Sequence, residues 1–236
     1  MSFRWRALVK RLHPEGIPFP GSVVYNALSR TEIFRRHYER VARDVCRHGA
    51  ARRILDIGTG PGRLLKTIRR RLPGATLVGL DISPAMAAQA RANMDADGHR
   101  RRIAIVAGGA DALPLADATF DCVVSTGSLH HWKDPLRGLA EIHRVLAPGG
   151  RGLIYDLVRR MPPAVCRTVR QHYGGFRLAL LWLHSFEEPF LSAEEMAALG
   201  RQSALAVDGT RFVGALCCLM LRKTSPGEPA PRQKDA

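Results

Sequence analysis

The residues best suited to chemistry are two adjacent histidines and three well-placed aspartates. His130 and His131 lie in the stretch Thr126-Gly127-Ser128-Leu129-His130-His131-Trp132-Lys133-Asp134-Pro135, directly after the apolar run Phe120–Ser125. An imidazole titrates near neutral pH, so either ring can take a proton from a substrate. The same pair makes a poor metal site. Sequence neighbours do not readily face one ion, and no motif supplies a third ligand. No metal is therefore predicted. Asp56 and Asp81 each end or nearly end a short apolar run, and Asp111 follows a third one through a glycine pair. Carboxylates in such places accept hydrogen bonds from the hydroxyl and amino groups of a ligand. No catalytic triad or pair of close carboxylates is visible.

Around Asp56 the chain reads Ile54-Leu55-Asp56-Ile57-Gly58-Thr59-Gly60-Pro61-Gly62, then Arg63-Leu64-Leu65-Lys66-Thr67-Ile68 with helical spacing. Strand, glycine turn and helix form the front half of a βαβ unit that takes a nucleotide-like ligand. The glycines let backbone approach the ligand, and the helix start presents free N–H groups. A dinucleotide fingerprint carries its third glycine three residues after the second, where this chain has Arg63. A P-loop needs Lys followed by Ser or Thr after the glycines, and neither follows here. The pattern left is G-x-G-x-G.

The elements that must hold these residues alternate along the chain. Strands are expected at Arg53–Ile57, Thr76–Asp81, Arg101–Val106, Phe120–Ser125 and Arg151–Asp156, with closing strands at Leu205–Phe212 and Ala215–Arg222. Helical patterns lie between them: Tyr25–His48 with a break near Ser29-Arg30-Thr31, the segment from Arg63, Pro84–Ala96, Pro135–Leu146, and one opened by the capping box Ser192-Ala193-Glu194-Glu195. The Pro135 helix should turn Leu136, Leu139, Ile142, His143 and Leu146 inward on its apolar side. Strand–helix alternation predicts an α/β fold with a parallel sheet. Ligands then sit beyond the carboxyl ends of the strands, where strand order reverses. Asp81 lies about twenty residues past the glycines, where nucleotide folds keep the carboxylate that accepts from ribose hydroxyls. Ser83 before Pro84 suits the helix N-cap, which leaves Asp81 free for the ribose, with Ile82 against the adenine.

The chain has 236 residues with 46% hydrophobic content, enough for one α/β domain with a sizeable core. Net charge is +15, from 36 basic against 21 acidic residues, which favours anionic partners such as nucleic acid or an acidic lipid surface. The five cysteines are odd in number, have no C-x-x-C spacing and lie largely in apolar runs, so they read as reduced thiols. With no spanning segment or signal-peptide core, a cytoplasmic protein is expected. Residues 1–21 form a separate lead. Trp5, Leu8, Val9 and Leu12 share one helical face, Arg4, Arg6, Lys10 and Arg11 occupy much of the rest, and Pro14–Gly21 is a linker. Such a helix either lies on an anionic membrane surface or packs over the mouth of its own domain. Residues 22–223 are the folded domain, and 224–236 read as a disordered tail.

Several motifs together resemble the class I S-adenosylmethionine (SAM)-dependent methyltransferases, in particular the ubiquinone/menaquinone-biosynthesis type. They are the G-x-G-x-G turn with Asp56, Asp81 at the second strand end, Gly109-Ala110-Asp111-Ala112-Leu113-Pro114-Leu115, His131-Trp132-Lys133-Asp134-Pro135, and Glu141–Gly150. They follow in order over roughly residues 53–157. The resemblance implies a Rossmann-like seven-stranded, mostly parallel sheet in the order 3-2-1-4-5-7-6, its last strand antiparallel, with helices on both faces. It implies SAM as cofactor, held by Asp56, Gly58, Thr59, Gly60, Gly62, Asp81, Ile82, Asp111, Ala112 and the backbone at Ser125 and Thr126. It also implies that an insertion at about 157–191 helps build the acceptor pocket, with Tyr25, His172 and Tyr173 as substrate-binding candidates. Methyl transfer from a sulfonium needs mainly alignment and exclusion of water, and a base only where the acceptor must lose a proton. That base would be His131 or His130. The expected activity is methylation of a small, hydrophobic acceptor at carbon, oxygen or nitrogen. An RNA methyltransferase and a non-catalytic SAM-binding protein are the alternatives.

Overall fold

In the computed structural model, residues 26, 29–48, 51–96, 98, 102–173 and 190–227 are described, the side chains of Ile33, His172 and Tyr173 excepted. The elements run α1 (Glu32–Arg47), β1 (Arg53–Ile57), α2 (Arg63–Arg71), β2 (Thr76–Asp81), α3 (Pro84–Ala96), β3 (Ile103–Ala107), β4 (Phe120–Thr126), α4 (Pro135–Val145), β5 (Leu146–Asp156), α5 (Pro163–Tyr173), α6 (Ala193–Arg201), β6 (Ala206–Val213) and β7 (Leu216–Arg222). The seven strands form one sheet in the order β3-β2-β1-β4-β5-β7-β6. β1 to β5 pair in parallel, and β7 runs antiparallel between β5 and β6. The expected order and the antiparallel last strand are both observed.

Period-two alternation explains how one sheet fills two cores. Leu55, Ile57, Val123, Ile154 and Cys217 pack on one face with Leu139, Ile142 and Val145 of α4 and Met196 of α6. Ile54, Val124, Tyr155 and Cys218 pack on the other with Val41 and Val45 of α1, Leu65 and Ile68 of α2 and Met94 of α3. Each fully buried aliphatic side chain contributes about 1.5–3 kcal/mol, so the central strands, buried on both faces, hold the sheet. Burial pushes the Cys217 thiol up to about 11 and those of Cys122 and Cys218 up to about 12, which leaves them unreactive at neutral pH.

α1 is tied to the sheet by a buried polar cluster as well as by packing. The Tyr155 hydroxyl donates to Asp44 Oδ2 at 2.7 Å, and Arg211 Nη2 donates to the same oxygen at 2.6 Å. Arg211 also donates to His48 Nε2 at 2.6 Å. Burial, then the Arg211 charge, holds the His48 imidazole below its ordinary value.

Two local expectations differ from the structure. Pro148-Gly149-Gly150 does not separate helix from strand, because β5 begins at Leu146 and takes these residues in, with a register shift between Phe120 and Cys122 of β4. Leu136 is not an inward residue of α4 but is 40% exposed in its first turn. α6 ends at Arg201, and its capping box is formed as expected, Ser192 Oγ accepting from Glu195 N and Glu195 Oε2 accepting from Ser192 N. The N-terminal segment 1–21, Tyr25 and residues 228–236 of the tail lie outside the described residues. No helix among the described residues is long and apolar enough to cross a membrane.

Candidate active site

Strand order reverses between β1 and β4, so the loops after β1, β2, β3, β4 and β5 converge on one end of the sheet. Gly58, Gly60 and Gly62 all hold positive φ, at 74°, 52° and 75°. The N–H groups of Gly58 and Thr59 both donate to Leu80 O, at 2.8 and 2.9 Å, which straps the loop to the end of β2. Two of the glycines also meet a need within the fold itself. A Cβ on Gly58 would lie 2.6 Å from Ser128 Cβ, and one on Gly62 would lie 2.6 Å from Met94 Cε. The protein's own side chains thus press on the loop from β4's connection and from α3. Asn93 Nδ2 adds a bond to Pro61 O at 2.9 Å.

Asp56 is 1% exposed. Its Oδ2 accepts from Thr59 Oγ1 at 2.8 Å, while its Oδ1 is buried with no hydrogen-bond partner among the described residues. Burial pushes its carboxyl up to about 7, the Thr59 bond opposing and the Asp81 charge adding to the rise. Asp81 is not free, as its sequence position suggested. Its Oδ2 accepts from Gly60 N at 2.8 Å and its Oδ1 from Ser83 N at 2.9 Å, so it stitches the glycine loop to the start of α3. Burial raises its carboxyl, and these two backbone bonds oppose the rise. Ser83 caps α3 as expected, its Oγ accepting from Met86 N at 3.3 Å. Ile82 beside it is 39% exposed. A Cβ on Gly109 would lie 2.6 Å from Asp111 Oδ1 and 3.5 Å from Ile82 Cδ1, so Ile82 and Asp111 flank one small space. Ala112 is exposed on the same turn.

The Asp111 turn is held by the polar face of α4. Arg137 Nε donates to Asp111 O at 2.9 Å, and Glu141 Oε2 accepts from Leu113 N at 2.7 Å. Arg144 reaches Leu113 O, Leu115 O and Asp117 Oδ1 as well as Glu141. Its guanidinium beside Glu141 holds that carboxyl below the usual range.

After β4, Ser125 is fully buried between β1 and β5, and its hydroxyl meets Ser128 Oγ at 2.7 Å. Its side chain belongs to the interior, which leaves its backbone as the part that a ligand could meet. Thr126 Oγ1 is buried without a hydrogen-bond partner among the described residues. The next residues have separate duties. Trp132 Nε1 donates to Ser128 Oγ at 3.1 Å, and its ring lies where a Cβ on Gly138 would be. Asp134 caps α4 by accepting from Arg137 N, and Pro135 opens it. His130 and His131 stand between these anchors in a 3-10 turn.

His130 has a partner that the sequence did not suggest. Asp156, at the end of β5, accepts from the His130 backbone N–H at 2.9 Å and meets Nδ1 at 2.9 and 3.0 Å. Both side chains are almost fully buried. Asp156 Oδ1 also accepts from Leu157 N at 2.8 Å. A carboxylate only accepts, so Nδ1 carries the proton and Nε2 is the basic nitrogen. The rings of His131 and Phe190 lie 3.9 and 4.4 Å from that of His130, centroid to centroid. The one available signal for Asp156 was an acid at the end of the strand next to β4. Among the described residues no group of three or more His, Cys, Asp or Glu is placed to hold a metal ion. Tyr25 and the side chains of His172 and Tyr173 lie outside the described residues.

Comparison with known proteins gives consistent matches. A family model described as "Methyltransferase domain" matches residues 55–154. Demethylmenaquinone methyltransferase of Thermus thermophilus is 33% identical over 193 residues, covering 75% of this chain and 87% of that protein. Ubiquinone/menaquinone biosynthesis C-methyltransferase of Geobacter sulfurreducens is 33% identical over 135 residues, and the chain spans 53% of its length. The crystal structure of a putative S-adenosyl-L-methionine-dependent methyltransferase from Methanococcus maripaludis aligns with a TM-score of 0.69 over 89% of this chain and 94% of that one. At 20% identity that last likeness shows the fold.

Proposed function

We propose that this chain, which belongs to the class I SAM-dependent methyltransferases of the ubiquinone/menaquinone-biosynthesis group, methylates a small, hydrophobic, quinone-like acceptor with His130 as general base. SAM is the cofactor, and S-adenosylhomocysteine the product. When bound, SAM supplies a methyl group that is already electrophilic.

The residues present suit that compound. Asp81 spends two of roughly four acceptor positions on its own backbone bonds, which leaves positions for the ribose hydroxyls. Ile82 offers an exposed apolar face to the adenine, and Asp111 an acceptor for its amino group, with Ala112 beside it. The orphaned Oδ1 of Asp56 is matched in charge and polarity to the ammonium of the methionine part. Gly58, Thr59, Gly60 and Gly62 fix the loop that passes beneath it, and the unpartnered Thr126 hydroxyl is a further polar contact.

The observation that carries the acceptor reading is the buried His130–Asp156 pair beside an aromatic ring. Asp156 keeps the proton on Nδ1, so Nε2 can draw one from an acidic hydroxyl of the acceptor as the methyl is transferred. Phe190 walls the imidazole with apolar surface, which keeps water off the reacting group. Alignment of the two reactants in a dry site lowers the barrier by about 7–11 kcal/mol. The name of the Thermus relative supports a quinone as the acceptor.

Incubation with radiolabelled SAM and a panel of reduced, demethylated quinones tests the proposal. Label should pass to the apolar extract with the wild-type chain and fall by about 10²–10³-fold with His130→Ala. Transfer to none of the quinones, or full transfer by His130→Ala, would overturn it.

A further inference from the structure

We propose that the basic trough between α1 and α2 is a docking surface for an anionic lipid bilayer. Two neighbouring clefts form the trough. The first, of about 390 Å³, is lined by the cations Arg30, Arg35, Arg63, Lys66 and Arg70. The second, of about 480 Å³, shares Arg35 and Arg70 with it and adds Arg36, Arg40 and Arg43. Among the described residues Glu32 and Glu39 are the only carboxylates lining either cleft. Glu32 is already paired with Arg35 and Arg36, and Glu39 with Arg71. Arg30 and Arg43 make no ion pair with a described residue. So many like charges on one concave face raise the local potential and draw a multivalent anion.

Two observations favour lipid over nucleic acid. A nucleic-acid strand is gripped by exposed aromatic faces as well as by cations. Among the described residues Tyr38 is the one aromatic residue lining either cleft, and it is 9% exposed, packed into the core. The second observation is where the N-terminal sequence arrives. Residues 1–13 combine an apolar stripe of Trp5, Leu8, Val9 and Leu12 with Arg4, Arg6, Lys10 and Arg11, the composition of a membrane-surface helix. The chain then enters the described structure at Asn26, whose Oδ1 accepts from Arg63 Nη2 in the cleft wall at 3.1 Å. Arg63 directly follows Gly62, so the trough adjoins the glycine loop. A bilayer docked there is also the reservoir of an apolar acceptor, and in this respect the choice of lipid rests on the reading above.

The test is co-sedimentation of the full chain with vesicles of phosphatidylcholine alone or mixed with phosphatidylglycerol. The chain should sediment with the mixed vesicles only, and high salt should release it. Arg43→Glu with Arg70→Glu should weaken vesicle binding by at least about 25-fold, since each cation near such a surface is worth about fivefold. SAM affinity, read by calorimetry, should stay unchanged. Equal sedimentation with neutral vesicles, binding that high salt leaves intact, or wild-type binding by the double variant would each overturn the proposal. Tighter binding to an RNA oligonucleotide than to the mixed vesicles would do so too. Should the variant lose SAM binding through misfolding, the salt titration of the wild-type chain decides. No turnover is needed, so failure here and failure of the quinone reading are told apart.

Discussion

The Asp156 carboxylate grips His130 twice, at Nδ1 and at the backbone N–H, both at 2.9 Å. One bond sets the tautomer, and the other sets where the ring stands. Asp156→Asn should therefore lower kcat by about 10²–10³-fold, because the amide NH₂ cannot accept from Nδ1–H and the ring turns or changes tautomer. SAM affinity should change by less than about threefold, since the carboxylate serves the acceptor side. A pH–rate profile separates this from simple destabilisation. The acidic limb of the profile, where a general base takes up its proton, should change shape in Asp156→Asn, whereas a merely structural role would scale the whole curve.

Asp81 joins the glycine loop to the start of α3 and is offered to the ribose as well. Asp81→Ala should weaken SAM binding by about 10–100-fold, and Asp81→Asn, which keeps one acceptor oxygen, should fall between. Titration calorimetry with S-adenosylhomocysteine reads both. Near-wild-type affinity in Asp81→Ala would remove the ribose assignment.

Asp56 makes stability depend on pH with an unusual sign. Its folded value, about 7, lies above the ordinary 3.8, so the folded chain holds this proton more tightly than the unfolded chain. The contribution is complete below the unfolded value and is lost as pH rises through the folded one. It is on the order of a few kcal/mol. Between about pH 4 and about pH 8 the wild-type chain should lose stability relative to Asp56→Asn, which carries no titrating group there. Urea unfolding at several pH values measures this, and parallel curves for the two chains would refute it.

Gly58 and Gly127 both have positive φ, 74° and 64°, but differ in surroundings. A Cβ at 58 meets Ser128, whereas one at 127 meets nothing within 4 Å. Gly127→Ala should cost only the backbone strain, about 1 kcal/mol. Gly58→Ala adds a clash that shifts the loop, so it should cost at least about 1 kcal/mol more and reduce SAM affinity at least about tenfold. Equal costs for the two, by denaturant unfolding, would show that Ser128 yields freely.

Local chemistry made much of the molecule legible from the residues alone. Strand ends at Ile57 and Asp81, the Ser83 and Ser192 caps, the glycine turn and the helix from Pro135 each depend on residues a few positions apart, so their patterns survive in one dimension. The family followed from several such patterns in sequence, and the matched residues 55–154 fall within the stretch that carried them.

Tertiary structure decided the contacts between distant segments. Asp156 lies 26 residues from His130, Asp44 lies 111 from Tyr155, and Ser128 bonds the carbonyl of Ile57 from 71 residues away. Each meeting exists because β4 lies between β1 and β5, and because α1 packs across β5 and β6. Strand order is a property of the whole sheet and leaves no short-range spacing to read. The same reason explains Asp81, a free acid by its sequence position that folding brings against Gly60 N, and Leu136, whose place on a helical face said nothing of what would cover it.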